Sequence, residues 1–392
     1  MMNEYEQRQE AINRYLGGEK ISKIARSLNK SRKWLHHWIN RYNQKKEDIN
    51  WYRDESKAPK NIAIKIDVQS EQQILMIRKE LMNEKMAQIG AISIQYECER
   101  RGIKPIPDVW TINRLIAKHG LNKQVSIHKI PKDYPEIFCH THQMDLVGPR
   151  YIKGDGKFYS INVIDTTTHS CYVKAVRTKS SDGIVAAIAS FWKTHGMPDA
   201  LQMDNELAFR GSNRYPRSFG KVIRFALSQG VPIVFIPVAE PWRNGIIEKF
   251  NHTYQQRFLK AYTFENLEKL SGQEQSFINF HNGKHRYSSQ GHKTPDEAND
   301  LQLKPILYKG VIHLPSLKKD NKIPLTQGCV YYIRFIRSDL KLYLPNEVFV
   351  VKDTLKYSYI VAEINIHNHS LIIRQNYEII QVFPYDISAI DW

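Results

Sequence analysis

Apolar positions at helical spacing fill the first 120 residues, and period-two or continuous apolar runs take over from about residue 143. Residues 4–16 carry a helical pattern that Leu16-Gly17-Gly18 ends. ISKIARSL follows, with Ile21, Ile24, Ala25 and Leu28 on one face, and Ser31 is a natural N-cap for RKWLHHWINRY. In that third helix Trp34, Leu35, Trp38 and Tyr42 are expected to face inward, leaving Arg32, Lys33, His36, His37 and Arg41 outside. The pattern predicts a helix-turn-helix unit over 1–46 whose second helix could enter a DNA major groove. Residues 47–65 are polar and charged and read as a linker. A second three-helix pattern covers 66–125: EQQILMIRKELM, then AISIQYECERRG, then VWTINRLIAKHGL opened by Asp108 or Val109, with Arg114 and Lys118 projecting.

Strand signals then dominate. QMDLVGPRYI, KFYSINVIDTTTH and CYVKAVRT are strands, with a turn at Gly154-Asp155-Gly156. Helix, strand, helix, strand and helix follow, in SDGIVAAIASFWKTHG, ALQMDNE, FGKVIRFALSQG, VPIVFIP and RNGIIEKFNHTYQQRFLKAY. This is the order of a mixed α/β domain, placed over 130–262, with a helical extension over 263–300. From 305 to 392 the chain is β-rich, with six short strands (YYIRFIR, KLYLP, EVFVV, YIVAEINI, SLIIRQN, EIIQVFP), for which a small barrel or sandwich is the simplest architecture. The expected whole is multidomain: two all-α helix-turn-helix units, an α/β core and a β-rich small barrel.

Composition narrows the partner. Lys+Arg 57 against Asp+Glu 40 leaves a net charge of +17, which favours a polyanion, nucleic acid first. Four scattered cysteines speak against a disulfide framework. With neither a signal peptide nor an apolar stretch of bilayer length in these residues, an intracellular, cytoplasmic protein without a membrane partner is expected. Cys139-His140-Thr141-His142 is ligand-rich but lacks a nearby CxxC, and reads as a strand edge. His367 and His369 read as polar turn residues.

Three acids have the context for chemistry. Asp145 sits mid-strand in QMDLVG, Asp204 closes ALQMD, and Glu248 lies about one turn into the helix that follows Asn244-Gly245. Carboxylates in buried strands are costly unless neutralised. Three of them converging from separate elements would form a hard oxygen site for Mg²⁺ or Mn²⁺. Two such ions could serve an in-line phosphoryl displacement.

Asp145 in QMDLVGP, Asp204-Asn205 in LQMDNELAF, and Glu248 in PWRNGIIEKFN resemble the DDE signature of insertion-sequence transposases and retroviral-type integrases. FINFHNGKHRYSSQGHKTPDEA is similar to the segment that follows the core in bacterial transposases. The resemblance is close over roughly 130–300 and implies an RNase H-like catalytic core. It further implies two divalent ions held by Asp145, Asp204 and Glu248, and cleavage and joining of DNA strands. Water would free a 3′-OH at an element end, and that hydroxyl would attack target DNA directly. Double-stranded DNA (terminal repeats and target) is the implied partner, with a homo-oligomer assembled on it, in a bacterial cell acting on chromosomal or plasmid DNA. Arg243 and Lys249 join the expected DNA contacts.

Two acids compete for the glutamate. Glu240 meets the family's usual spacing of roughly thirty-five residues after the second acid, but it precedes Pro241 in a loop. Glu248 holds the helical place, and the loop RGSNRYPRS (210–218) accounts for the extra length. Asp165 reads as structural. Where the family usually has Gly after Asp-Asn this chain has Glu206, and the retroviral N-terminal zinc module is absent, which places the resemblance nearer bacterial mobile elements. The competing readings are a metal-dependent nuclease of the same fold, an inactive transposase-derived DNA-binding regulator, and an RNA-processing enzyme.

Overall fold

The structure, a computed structural model, describes residues 3–55, 66–121, 133–212, 216–301 and 323–387. The edges of the expected domains at 122–125, 130–132, 305–322 and 388–392, most of the linker (56–65) and 213–215 of the 210–218 loop lie outside these residues. The chain divides into two compact units, Met1–Lys65 and Ile66–Trp392.

The first unit is a trihelical bundle of α1 (Glu4–Leu16), α2 (Ile21–Ser27) and α3 (Arg32–Gln44). Asn3 and Glu6 form a capping box on α1, and Ser31 accepts from the Trp34 amide to start α3. Ala11, Ile12, Ile24, Leu35, Trp38 and Ile39 are its core. The expected linker begins later than residue 47. Trp51 stacks edge-on against Tyr42 at 5.2 Å, and Arg8 donates to the Tyr52 carbonyl at 2.9 Å, so this aromatic turn completes the bundle.

The second unit opens with α4 (Val68–Asn83), α5 (Ala91–Arg100) and α6 (Val109–Lys118), the last capped by Asp108. These helices are not free-standing. His285 bonds to the Met86 carbonyl at 2.8 Å, the Arg286 guanidinium lies 3.6 Å from the Tyr96 ring centroid, and Phe280 packs on their apolar core.

Strand β1 (Thr141–Ile152) pairs antiparallel with β2 (Gly156–Asp165), and β2 with β3 (Cys171–Val176). After α7 (Ser181–His195) the chain enters β4 (Ala200–Met203), parallel to β1. It then runs through α8 (Leu207–Arg210) and α9 (Lys221–Ser228) to β5 (Ile233–Phe235), parallel to β4. The order β3-β2-β1-β4-β5 is that of an RNase H-like sheet. Apolar residues line both faces of β2 because helices cover both. On one face α7 and α9 pack against Met144, Leu146, Ile161 and Val163. On the other, α10 (Gly245–Tyr254), the π-helical turn Gln255–Leu259 and α11 (Leu267–Lys284) pack against Ile164, Val173 and Ala175. A short α12 (Pro295–Leu301) follows.

The expected separate barrel does not form. All six anticipated strands are present: β6 (Cys329–Phe335), β7 (Lys341–Leu344), β8 (Glu347–Val350), β9 (Tyr359–Asn365), β10 (Ser370–Gln375) and β11 (Glu378–Pro384). But β6 pairs parallel with β5, and β9, β10 and β11 extend the same sheet to nine strands, with β7–β8 a separate two-stranded ribbon. The physical reason is the apolar character of β6 on both faces. Tyr332 stacks on Phe235 with centroids 4.9 Å apart, and Ile333 packs against Ala200 and Val234 opposite. Gly328, at φ +99°, lets the chain enter β6 directly over Leu227; a Cβ there would stand 2.8 Å from its side chain.

Candidate active site

Two glutamines set the stage for the acids. Along β1, Met144 faces the α7 side, so Gln143 and Asp145 face the α10 side. Along β4, Leu201 and Met203 likewise leave Gln202 on the α10 side. Gln143 and Gln202 are direct partners in the parallel ladder, and Asp145 and Asp204 each lie two residues further on. Asp145 thus lies on β1 and Asp204 directly follows the last residue of β4, at the same end of two adjacent parallel strands.

The same glutamines dock α10. Gln143 Oε1 accepts from the Ile247 amide at 3.0 Å, and Gln202 Nε2 donates to Asn244 Oδ1 at 3.1 Å. Nearly two turns into the helix, Asn251 Nδ2 donates to Asp145 Oδ2 at 2.6 Å. Glu248 precedes Asn251 by three residues, so the two share a helix face; Glu248 is exposed, and its field reaches Asp145. Asn251 in turn accepts from Asn162 at 2.7 Å, and Asn162 from Ser160 at 2.6 Å, which fixes the asparagine's orientation. None of Gln143, Gln202, Asn162 or Asn251 is singled out by sequence. The usable signal is Asn251, at i+3 from Glu248.

Burial raises the proton affinity of all three acids. Burial pushes the Asp145 carboxyl up to about 6, opposed by the Leu146 amide and reinforced by the fields of Asp204, Glu206 and Glu248. Asp204 is raised by burial and by Glu206, and Glu248 is raised by burial. Glu206 is thus a fourth carboxylate beside the cluster. Its amide donates to Asp204 Oδ1 at 2.9 Å, and its side chain is ion-paired with Lys179.

Glu240 is occupied elsewhere. Its carboxylate accepts from the Tyr359 hydroxyl at 2.8 Å and from Arg243 Nε at 3.1 Å. Arg243 is correspondingly buried, with its guanidinium 3.9 Å from the Tyr134 ring centroid. That corrects its expected place among the DNA contacts, since its charge is spent inside the protein. Arg41 is likewise engaged, over the Trp38 ring at 4.9 Å and donating to the Arg53 carbonyl at 2.5 Å. Lys118 is exposed but bonds to Glu71 at 2.8 Å. Arg32, Lys33, His36, His37, Arg114 and Lys249 are exposed.

Asp165 stands apart from the acid cluster. Burial would raise its carboxyl, but a hydrogen bond from His140 (3.0 Å) and the nearby His142 ring, with the Thr167 and Thr168 amides donating to the same carboxylate, hold it well below the usual carboxylate range. The grouping of His140, His142 and Asp165 could suggest a second cation site. The tautomer argues otherwise. Trp192 Nε1 can only donate, and it lies 3.1 Å from His142 Nδ1, so the ring proton sits on Nε2, facing Asp165 Oδ2 at 3.6 Å. That nitrogen has no lone pair for a metal.

Residues 229–295 match the integrase core domain family, and residues 2–50 match the homeodomain-like domain family. No curated protein matches the chain. Among solved structures, the chain is similar to the HTLV-2 integrase catalytic core domain in complex with magnesium (16% identity, TM-score 0.30, covering 41% of this chain and 95% of that one). It is also similar to a chain of the simian T-cell lymphotropic virus intasome in complex with PP2A regulatory subunit B56 gamma (13%, TM-score 0.35, 72% and 90%) and to the catalytic core domain of BIV integrase (13%, TM-score 0.31, 40% and 91%). The chain thus carries a match to a homeodomain-like domain ahead of a match to an integrase core domain in one polypeptide.

Proposed function

We propose that this protein cuts DNA at the ends of a mobile element and joins the freed 3′-OH ends to target DNA, with Asp145, Asp204 and Glu248 as the catalytic carboxylates. The observation that carries the reading is that Asp145 on β1 and Asp204 just past β4 lie at the same end of two neighbouring parallel strands, with Asn251 of the helix that carries Glu248 hydrogen-bonded to Asp145.

The donor set fits hard divalent cations. Asp145, Asp204 and Glu248 are carboxylates, the hard oxygen donors such ions take, and burial raises the proton affinity of each, with the fields of Asp204, Glu206 and Glu248 adding to it at Asp145. Asp145, Asp204 and Glu248 would hold Mg²⁺ or Mn²⁺. Such ions, when bound, supply charge stabilisation to a phosphodiester and acidify water. The chain's own part is positional. Asn251 fixes one oxygen of Asp145, the Leu146 amide binds the other at 2.8 Å, and the Glu206 amide fixes Asp204. Lys179 offsets the charge of Glu206 and keeps that acid turned aside.

Arg32, Lys33, His36 and His37 on α3 would read or grip the terminal repeats, with Arg114 and Lys249 as further phosphate contacts. Joining two ends calls for a homo-oligomer on DNA.

The test is a strand-transfer assay on linear DNA bearing the element's own ends, with Mg²⁺ or Mn²⁺. Nicked and joined products are expected from the wild type. Glu248→Gln should reduce them by at least about 100-fold, while Glu240→Gln should retain activity within about tenfold. Tight end binding without cutting under either metal would establish a DNA-binding regulator instead, and cutting without joining a nuclease.

A further inference from the structure

Arg334 is a buried cation, 7% exposed, on β6. Its guanidinium donates to uncharged acceptors: Nε to the Tyr343 carbonyl at 3.2 Å, Nη1 to the carbonyls of Ile236 at 3.0 Å and Ile333 at 2.9 Å, and Nη2 to Asn205 Oδ1 at 2.7 Å. Among the described residues it makes no ion pair. A charge taken out of water without a counter-charge is expensive, so stability alone is a poor reason for an arginine there.

Its partners supply a better reason. Asn205 directly follows Asp204, and its own Nδ2 donates to the Ile236 carbonyl at 2.7 Å. Because arginine only donates, the Asn205 amide can present only its oxygen to Arg334 and its nitrogen to Ile236. Arg334, Asn205 and Ile236 thus close a triangle across the ends of β4 and β5. One corner is the backbone that carries Asp204; another is the start of the segment leading to Glu248. A second bracket comes from β9, where Tyr359 bonds to Glu240 and to Arg243 Nη2 (3.1 Å) in that same segment.

We infer that Arg334, with Tyr359 in support, is a positioning residue for the acid cluster, so that the C-terminal strands are a working part of the catalytic centre and not a separate DNA-binding appendage. The inference rests on the reading of Asp145, Asp204 and Glu248 as cation-holding acids. Sites of this kind need their ligands held within about 0.5 Å, and backbone at a strand end does not hold that alone.

The experiment uses the full chain with Arg334→Gln, Arg334→Lys and Tyr359→Phe. It measures Mn²⁺-dependent cutting of end DNA, the Mn²⁺ concentration for half-maximal cutting, the Mn²⁺-induced rise in melting temperature, and end-DNA affinity. Arg334→Gln should raise the half-maximal Mn²⁺ concentration at least about tenfold and lose most of the melting shift, with end affinity unchanged within about twofold. Arg334→Lys should recover part of both losses, and Tyr359→Phe, which removes one hydroxyl, should show the same pattern more weakly.

A folded Arg334→Gln with wild-type metal dependence overturns the inference. Should that variant not fold, Tyr359→Phe decides, and its equality with wild type is equally fatal. A wild type stabilised by Mn²⁺ but unable to cut overturns only the strand-transfer reading, and the melting shift of the variants then decides this one. A wild type that is neither stabilised nor active overturns both.

Discussion

Glu274 and Asp165 are both buried carboxyl groups of the core, and their surroundings drive them in opposite directions. Asp165 gathers two histidines and two amides and is held ionised. Glu274, on α11, accepts the Ala175 amide, with Lys174 only at 3.9 Å, and burial pushes it up to about 8 from 4.5. A carboxyl whose folded value is raised binds protons more tightly in the native state. Its contribution is complete below about pH 4.5 and is lost as pH rises through about 8. Between those limits the loss should be on the order of 2–4 kcal/mol. Urea unfolding at pH 5 and pH 9 should therefore show Glu274→Gln flattening the wild-type decline, so that the variant is the more stable protein at pH 9. Parallel pH profiles for the two would refute the assignment. Asp165 was readable as structural from its place at a strand end, but the role of Glu274 was not, because a glutamate inside a helical pattern looks the same whether it meets water or the amide of a buried strand.

At the scale of elements, helix ends were the most legible feature. Ser31 and Asp108 are caps whose side chains satisfy amides three residues on, a rule that needs no tertiary information. The outward face of α3 was equally readable as far as Arg32, Lys33, His36 and His37, because apolar spacing alone assigns that face. Arg41 was not, since the carbonyl that claims it belongs to Arg53, in residues that carry no helical signal. The two cations should part company in DNA binding. Lys33→Ala should weaken end binding and reduce the slope of log affinity against log salt by about 1, with little effect on folding. Arg41→Ala should instead cost the N-terminal unit roughly 1–2 kcal/mol, through a lost carbonyl bond and a lost stacking contact. Fluorescence anisotropy across a salt series, set beside thermal melts, separates these outcomes. Strand and helix patterns likewise put Asp145 mid-strand, Asp204 at a strand end and Glu248 inside a helix, which is where those elements lie. The asparagines and glutamines that join those elements carried no pattern of their own.

The whole molecule is where pattern reading fell short. All six C-terminal strands were visible as alternating or apolar runs, but a run reports that a strand exists and not which edge it will seek. Here β6 seeks β5, and one hydrophobic core runs from Met144 and Ile161 through Phe235 to Tyr332, Ala362 and Leu371. A chain ending at residue 301 would uncover that core and leave β5 as an open edge. Each large side chain stripped of cover forfeits about 1.5–3 kcal/mol, so a handful exceeds the roughly 5–15 kcal/mol by which domains are stable. Such a fragment should be insoluble or melt without cooperativity, whereas a free-standing tail would have left a well-behaved core; expression and calorimetry distinguish the two.

The sheet also imposes an order in time. Strand β6 lies about ninety residues after β5 in the chain. At a synthesis rate of about 5–20 residues per second, a nascent polypeptide carries all three acids for roughly 5–20 seconds before its β5 edge has a partner. Throughout that interval Asp204 lacks the guanidinium that braces its neighbour. On the proposed reading of the acids, a translation product that stops short there would carry the N-terminal helices but lack the strand that braces the proposed cutting centre.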